Sequence, residues 1–571
     1  MADNGASDSE GSDISGVNEV MNEDFEGELA GDNVDPLDRA QDGGDDETRP
    51  QWIDNLFHES DESGDEFEGF HPDWVTDPRR FRPVNVPDCL LDGGSAYQHP
   101  EESTAGYYFG LMWDDEMWDR LTTESNRYAT QQRTAHPPPP SAARWTDATK
   151  DGMKAFIRLC FSMGILKLPR RHLYWRTTKW LLKTNFPLVM ARNKFDQMWR
   201  YLHLQDNMVP APEGEKAWKL RWFLDHLTSR FQETYTPYGH ATIDESMIKF
   251  KGRLSFRQYL PSKPIKWGIK MWALCESDSG YACNMQMYTG KIDGQQEKGL
   301  AHRVCMDLLA PVLGTNLQVY MDNLYTSVAL LSDLRVRGIL ACGTVRANRK
   351  GLPTTLLPKN VRLQRGDFRR AQKDDLAYSI WMDTKPVVVM SNFHDPAEQG
   401  TVLRRREQAR TQVPVPKMLE DYQQHMRGVD LLDQAISYYT LNHRSKKWWR
   451  RVFFYGMMVT AHNAYVVAKD QGHAFHTQQW PTFLDFLEDL ATDLIGDTRA
   501  DRAPQLPRLP GRPLQTHTLE RMFAKRRVCR ECSLSSTAGD RAQATNYGCR
   551  ECSVPLHQKC LSAHINRSNI G

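Results

Sequence analysis

The chain has 571 residues, 40% of them hydrophobic and 10% aromatic, which is enough to bury several cores, and its formal net charge is −1. That balance hides an asymmetry: residues 1–70 carry 23 Asp and Glu against 2 Arg, while the remainder carries 70 Lys and Arg against 50 acids. An acidic appendage on a basic body predicts a nucleic-acid binder, and the polar start, lacking a signal peptide, predicts a soluble intracellular chain that spans no membrane.

In chain order, residues 1–75 are rich in Asp, Glu, Gly and Ser and poor in large apolar side chains, so they are expected to be disordered. Ser7 and Ser63, each with a Glu three residues on, sit in a setting that suits an acid-directed kinase; the plainer reading is a solubilising tail. Pro137 to Pro140 reads as a short stiff linker. From Ala142 to about Leu227 apolar residues recur at helical spacing, as at Phe156, Cys160, Met163 and Ile165 and again from Lys194 to His203. Strand signals begin near Tyr238. Trp267 to Glu276 and Tyr281 to Tyr288 alternate about Ser277-Asp278-Ser279-Gly280, a hairpin pattern. A helix from Glu297 to Leu313, a strand from Leu317 to Met321, a helix from Ser327 to Arg337 and a strand from Gly338 to Val345 are expected next. Arg346 to Arg410 then reads as basic and irregular, with Arg362, Arg365, Arg369, Arg370 and Arg404-Arg405-Arg406. It is either a solvated loop or a phosphate-tracking insertion. Val452 to Ala468 is the most apolar long run, but it contains His462 and Asn463 and is too short and polar to cross a bilayer, so it predicts a buried helix.

Three segments centre an aspartate between hydrophobic residues: Asp244 and Asp322, each read as closing a buried strand, and Asp430 with Asp433, one turn apart on a helix. Hard divalent cations need oxygen ligands, and a pair of Mg²⁺ ions for in-line displacement at phosphorus takes a few carboxylates from separate elements. The order β-β-β-α-β-α-β-α with acids at those places is an RNase H-like arrangement. The three acids are expected to converge to roughly 3–6 Å, splaying somewhat without metal.

The segments His240 to Arg253, Tyr320 to Ser327 and Met426 to Gln434, with Arg192 to Trp199 and Tyr201 to Asn207 upstream, closely resemble the signature blocks of the piggyBac transposase family. The resemblance runs from about residue 100 to the C-terminus. It implies a catalytic triad Asp244, Asp322 and Asp430, with Asp433 as an additional essential acid, and Mg²⁺ or Mn²⁺ as cofactor. It also implies cut-and-paste transposition of double-stranded DNA at terminal repeats, through a hairpin and with insertion at TTAA, by a nuclear homodimer. A domesticated, non-cutting DNA-binding descendant is the rival reading. Lys446, Lys447, Trp448, Trp449, Arg450 and Arg451 read either as a helix start with core tryptophans or as a DNA-end contact with bases stacking between cations. Trp448 aligns with a family tryptophan near the active site.

Cys529-x₂-Cys532, then Cys549-x₂-Cys552-x₄-His557-x₂-Cys560-x₃-His564, is zinc-ligand spacing. Seven ligands do not close two four-ligand sites: either one Zn²⁺ is held and some residues are bystanders, or an eighth ligand such as His517 joins. In a cross-brace, Cys529 and Cys532 would meet His557 and Cys560, and Cys549 and Cys552 would meet His564. The expected division is an acidic tail (1–75), a helical dimerisation and DNA-binding domain in two parts (100–238 and 441–510), an α/β RNase H-like core (239–348, with its last helix at 416–440), an insertion (349–415) and a zinc finger (511–571).

Overall fold

The structure, a computed structural model, describes residues 74–137, 144–176, 184–261, 263–290, 297–406, 409–441, 445–470, 479–494, 518–535, 543–550, 552–561 and 563–564. The acidic tail up to residue 73, the proline linker from residue 138 and His517 lie outside the described residues. The chain divides into two compact units, residues 1–499 and 500–571.

The first unit is built on a nine-stranded sheet. Its strands are β1 (His240–Lys249), β2 (Gln258–Tyr259), β3 (Trp267–Glu276), β4 (Ala282–Met287), β5 (Gln318–Met321), β6 (Leu340–Thr344), β7 (Phe368–Lys373), β8 (Leu376–Met382) and β9 (Pro386–Ser391). In space β3 lies beside β1, then come β5, β6, β9, β8 and β7, and both β2 and β4 pair with the outer edge of β3. Only the β1–β5–β6 pairings are parallel; the others are antiparallel. The strand from Trp267 to Glu276 falls where its alternation predicts. The first strand does not end at Asp244, because the apolar pattern continues through Met247 and Ile248, both buried, and the pairing with β3 runs on to Lys249.

The stretch read as irregular is corrected most. Residues 368–391 form three strands that extend the sheet, and a hairpin, β10 (Gln399–Arg406) with β11 (Ala409–Pro416), follows. Val388, Val389, Met390, Ile380 and Trp381 bury the apolar sides of these strands. Arg362, Arg365 and Arg369 are exposed, but Arg370 donates to Pro396 O and Ala397 O, and Arg404 pairs with Asp383 at 3.2 Å over the Trp381 ring. The element after the insertion is likewise two helices rather than one.

Helices from both sides of the sheet sequence share one core. They are α1 (Ala105–Gly110), α2 (Asp115–Ala135), α3 (Lys150–Ile165), α4 (Arg192–Tyr201), α5 (Arg221–Thr234), α6 (Leu300–Leu309), α7 (Val328–Val336), α8 (Lys417–His425), α9 (Gly428–Ser437), α10 (Trp448–Asp470) and α11 (Phe483–Asp493). Trp113 meets Phe453, and Trp199 stacks on Phe454 with centroids 5.4 Å apart, so α10 packs into the upstream helices. The two polar residues of its apolar run part ways. Asn463 exchanges two hydrogen bonds with the backbone of Ala282, at 2.9 and 3.0 Å, and ties α10 to the start of β4; His462 has Phe483 edge-on to its ring. Among the described residues no helix is long and apolar enough to cross a membrane.

Ordered structure begins before residue 76, as a strap along the sheet. Val75 pairs with Gln372 on the edge strand β7, and Trp74 Nε1 donates to Gly351 O. Arg335 donates to Asn85 O, Asn316 to Asp88 O, and Gly94–Ser95 pairs with Tyr235–Thr236. The strap satisfies part of an edge that would otherwise be open to strand addition.

Candidate active site and metal centres

Parallel pairing of β1 with β5 matches Ile243 to Met321, so the next residues, Asp244 and Asp322, emerge side by side on neighbouring strands. Asp244 sits in mid-strand and Asp322 directly after the strand end. Thr242, Asp244 and Ser246 share one face of β1 by the two-residue repeat. Thr242 Oγ1 donates to His425 O at 2.8 Å and accepts from Gly428 N–H at 3.4 Å, while Ser246 Oγ donates to Asp433 Oδ1 at 2.7 Å. Helix α9 is thereby pinned at both ends of this row, and Asp430, between the pins in sequence, is exposed.

Glycines let the helix come this close. A Cβ on Gly428 would lie 2.5 Å from Glu276 O on β3. Gly280, at φ +73°, would place one 3.0 Å from Leu432 N of α9. The His425 ring, stacked on His240 with centroids 4.2 Å apart, closes the α8–α9 junction against β1.

The cluster is electrostatically loaded. Burial, reinforced by neighbouring Glu245, pushes the Asp244 carboxyl up to about 7, against the pull of Lys263. Burial also raises Asp322, again with Glu245, and pushes Asp433 up to about 6 despite the Ser246 hydrogen bond. Burial works against ionised Glu245 too, but Lys270 and Lys263 outweigh it and hold that carboxyl below its ordinary value, with Tyr325 OH donating at 3.0 Å. Lys263 Nζ lies 3.0 Å from Asp244 Oδ2. Among the described residues the sets of three or more donor atoms lying mutually within 4.8 Å are Cys and His sets, so at least one pair of the three aspartates is farther apart than that. Asp244, Asp322 and Asp433 are hard oxygen donors disfavoured as anions by burial, the donor type a divalent cation fits, while Asp430 on α9 is exposed.

Sequence reasoning noted Glu245 as a polar partner beside Asp244 but missed Thr242, Ser246 and Lys263. The first two carried a signal: they lie two residues either side of Asp244, and so on its face. On the other flank of Asp322, Arg346 donates to Asn323 Oδ1 at 3.0 Å and Arg349 to Asn323 O and Leu324 O, holding the loop that carries the acid.

The basic–aromatic run does not face outward as a unit. Trp448 is buried edge-on to Phe256, Trp449 is in the core, and buried Arg450 donates to Arg200 O at 3.0 Å beside the Trp199 and Trp449 rings. Arg451 is half-buried, with burial lowering its pKa, and donates to Leu441 O. Lys447 lies over the Tyr128 ring, and Lys446 is exposed. Trp448, Trp449 and Arg450 thus stand where the reading of a helix start with core tryptophans puts them. The first turn of α10 is an amphipathic helix start that secures the two halves of the helical region.

In the second unit Cys529, Cys532, His557 and Cys560 bring their donor atoms mutually within 4.8 Å, and so do Cys549, Cys552 and His564. Cys532 Sγ is 3.7 Å from Cys560 Sγ and 3.4 Å from His557 Nδ1. Burial and the adjacent Cys532 and Cys529 push the Cys560 thiol up to about 12. Three sulfurs and an imidazole at this spacing fit tetrahedral Zn²⁺. The second set has three such donors, with buried Glu531 carrying a carboxylate oxygen 3.7 Å from His564 Nδ1.

The sequence profile of the family described as Transposase IS4 matches residues 104–465. Human PiggyBac transposable element-derived protein 3 is 26% identical over 462 residues, covering 79% of this chain and 74% of that protein. Human PiggyBac transposable element-derived protein 5 is 23% identical over 421 residues, covering 71% of this chain and 78% of that protein. The fold is similar to a cryo-EM structure of a piggyBac transposase synaptic complex with hairpin DNA: TM-score 0.62, 22% identity, 82% of this chain and 100% of that one.

Proposed function

The chain belongs to the piggyBac transposase family, and from that premise we propose that it is a cut-and-paste DNA transposase whose active site is Asp244, Asp322 and Asp430. The observation that carries the reading is the pinning of α9, the helix of Asp430, on β1 to either side of Asp244, with Asp322 on the adjacent strand. The mixed sheet, with its three parallel strands and the closing helix, supports an RNase H-like core. Asp244, Asp322 and Asp430 would hold Mg²⁺ or Mn²⁺. When bound, such ions supply an activated water and stabilise the leaving oxygen at phosphorus.

The residues around them have their own tasks. Asp433, fixed by Ser246, positions α9 and keeps negative charge close behind the ligands. Arg346 and Arg349 hold the Asp322 loop, and the close approach at Gly428 excludes water from beneath the cluster. Cleavage by water would free a 3′-hydroxyl that attacks the opposite strand to leave a hairpin; a second hydrolysis would open the hairpin and restore the 3′-hydroxyl, which then joins target DNA at TTAA. Exposed Arg362, Arg365, Arg369 and Lys446 are the basic groups placed to meet phosphates, and the second unit, with Zn²⁺ in its Cys and His sets, would read the terminal repeat. A nuclear homodimer is the corresponding assembly.

Strand cleavage on a duplex carrying the element's own end tests this. Asp322→Asn is expected to lower Mg²⁺-dependent nicking by at least ~10³-fold, the loss typical of removing a group essential to electrostatic stabilisation, while DNA affinity stays within about twofold. Wild-type protein that binds the ends tightly but never nicks them would instead identify a domesticated DNA-binding descendant, as the names of the human relatives suggest.

A further inference from the structure

The acid cluster carries a cation of its own. Lys263 lies between β2 and β3, in a closed turn where its N–H donates to Leu260 O at 3.3 Å and Leu260 N–H donates to Lys266 O at 2.9 Å. Pro264 follows, and a residue ahead of proline is biased away from helical backbone, which narrows the directions open to the Lys263 side chain. From there Nζ reaches Asp244 Oδ2 at 3.0 Å, with the two side chains 22% and 21% exposed. The contact is with the carboxylate at the centre of the row Thr242–Asp244–Ser246.

We propose that Lys263 is a place-holding counter-ion: it neutralises Asp244 while no divalent cation is bound, and it must leave Asp244 before that carboxylate can ligate one. The inference rests on the reading of Asp244, Asp322 and Asp430 as a metal centre. Several buried carboxylates without a counter-charge would repel one another and force α9 away from β1; an ammonium among them offsets that cost. It also competes through charge, because an ammonium 3.0 Å from Asp244 Oδ2 repels a divalent ion arriving at the same half-buried carboxylate. Lysine suits a temporary partner: it is a point charge on a flexible four-carbon stem, whereas arginine would grip the carboxylate with a planar fork.

The test is Mn²⁺ binding to the full-length, zinc-loaded protein without DNA, followed by electron paramagnetic resonance, with the thermal midpoint of the metal-free protein measured alongside. Removing the competing charge in Lys263→Met is expected to tighten Mn²⁺ binding by roughly threefold or more and to lower the metal-free midpoint. Lys263→Arg is expected to weaken Mn²⁺ binding while keeping that midpoint near wild type, so the proposal stays testable if the methionine variant folds poorly. A merely structural lysine would lower the midpoint in Lys263→Met without tightening Mn²⁺, and that result overturns the proposal. Asp322→Asn separates the two levels. If it abolishes Mn²⁺ binding but Lys263→Met leaves the affinity unchanged, only the place-holder role fails. If it leaves wild-type Mn²⁺ binding intact, the metal-centre reading fails and the place-holder falls with it.

Discussion

Asp433 and His462 are both buried titratable groups, and their surroundings treat them differently. Asp433 is raised by burial yet keeps a hydrogen bond from Ser246, which makes it a fixed point between helix and strand. His462 Nδ1 has no hydrogen-bond partner, and burial alone pushes the imidazole down to about 4. A folded-state pKa below the unfolded value of about 6.5 means that the unfolded chain binds more protons between those two values. The stability held by neutral His462 is therefore complete above about pH 6.5 and is lost as pH falls through about 4, a swing on the order of 3 kcal/mol. His462→Leu is expected to lose less stability than wild type between pH 7.5 and 4.5 in parallel thermal melts. An equal acid-side loss in both proteins would place the imidazole in a wetter, charge-tolerant setting.

At the scale of elements, the position of α9 governs the site, and glycine governs the position of α9. Gly428→Ala would set a methyl 2.5 Å from Glu276 O, a backbone atom that cannot rotate aside, so the helix must lift. Overpacking of this kind costs about 1–3 kcal/mol. The expected result is a lowered melting temperature together with weakened Mn²⁺ binding, because Asp430 moves with the helix. A variant that melts earlier but binds Mn²⁺ as tightly as wild type would mean the acids do not depend on this approach. Much of the architecture was legible in the sequence where periodicity and punctuation agreed. Trp267 to Glu276 is bounded by turn residues, and Ser327 marks a helix start because its side chain accepts the Leu330 N–H. Helix α6 stops at Leu309, short of the expected Leu313, giving way to a 3-10 turn that contains Pro311. The strands of 368–391 were obscured by the arginines of the exposed edge strand, although Val387-Val388-Val389 carried a strand signal. The turn presenting Lys263 to Asp244 is a contact between segments 19 residues apart, and no local pattern announces it.

For the whole molecule, one chain carries two kinds of donor cluster, separated by chemistry as well as by unit. Oxygen donors lie in the first unit, where β1, β5 and α9 meet, and sulfur with imidazole donors lie in the second. Hard divalent cations favour the former and Zn²⁺ the latter. Spacing marked the seven Cys and His ligands but left their pairing open; the two sets, Cys529, Cys532, His557 and Cys560 apart from Cys549, Cys552 and His564, fall as the cross-brace of the family resemblance implies. The burial of Trp449 and Arg450 was not legible, since alternating cations and aromatics suit a bundle core and a DNA surface equally until Arg200 O is found to satisfy the guanidinium. The central claim is that Asp244, Asp322 and Asp430 form one divalent-metal site. Anomalous diffraction at the manganese edge from crystals of the full chain grown with Mn²⁺ tests it most directly. The account predicts density ligated by carboxylate oxygens of all three aspartates, at about 2.2 Å, with Lys263 Nζ withdrawn from Asp244. Well-ordered crystals in saturating Mn²⁺ with no peak at these residues, or with the peak held by other carboxylates, would contradict it.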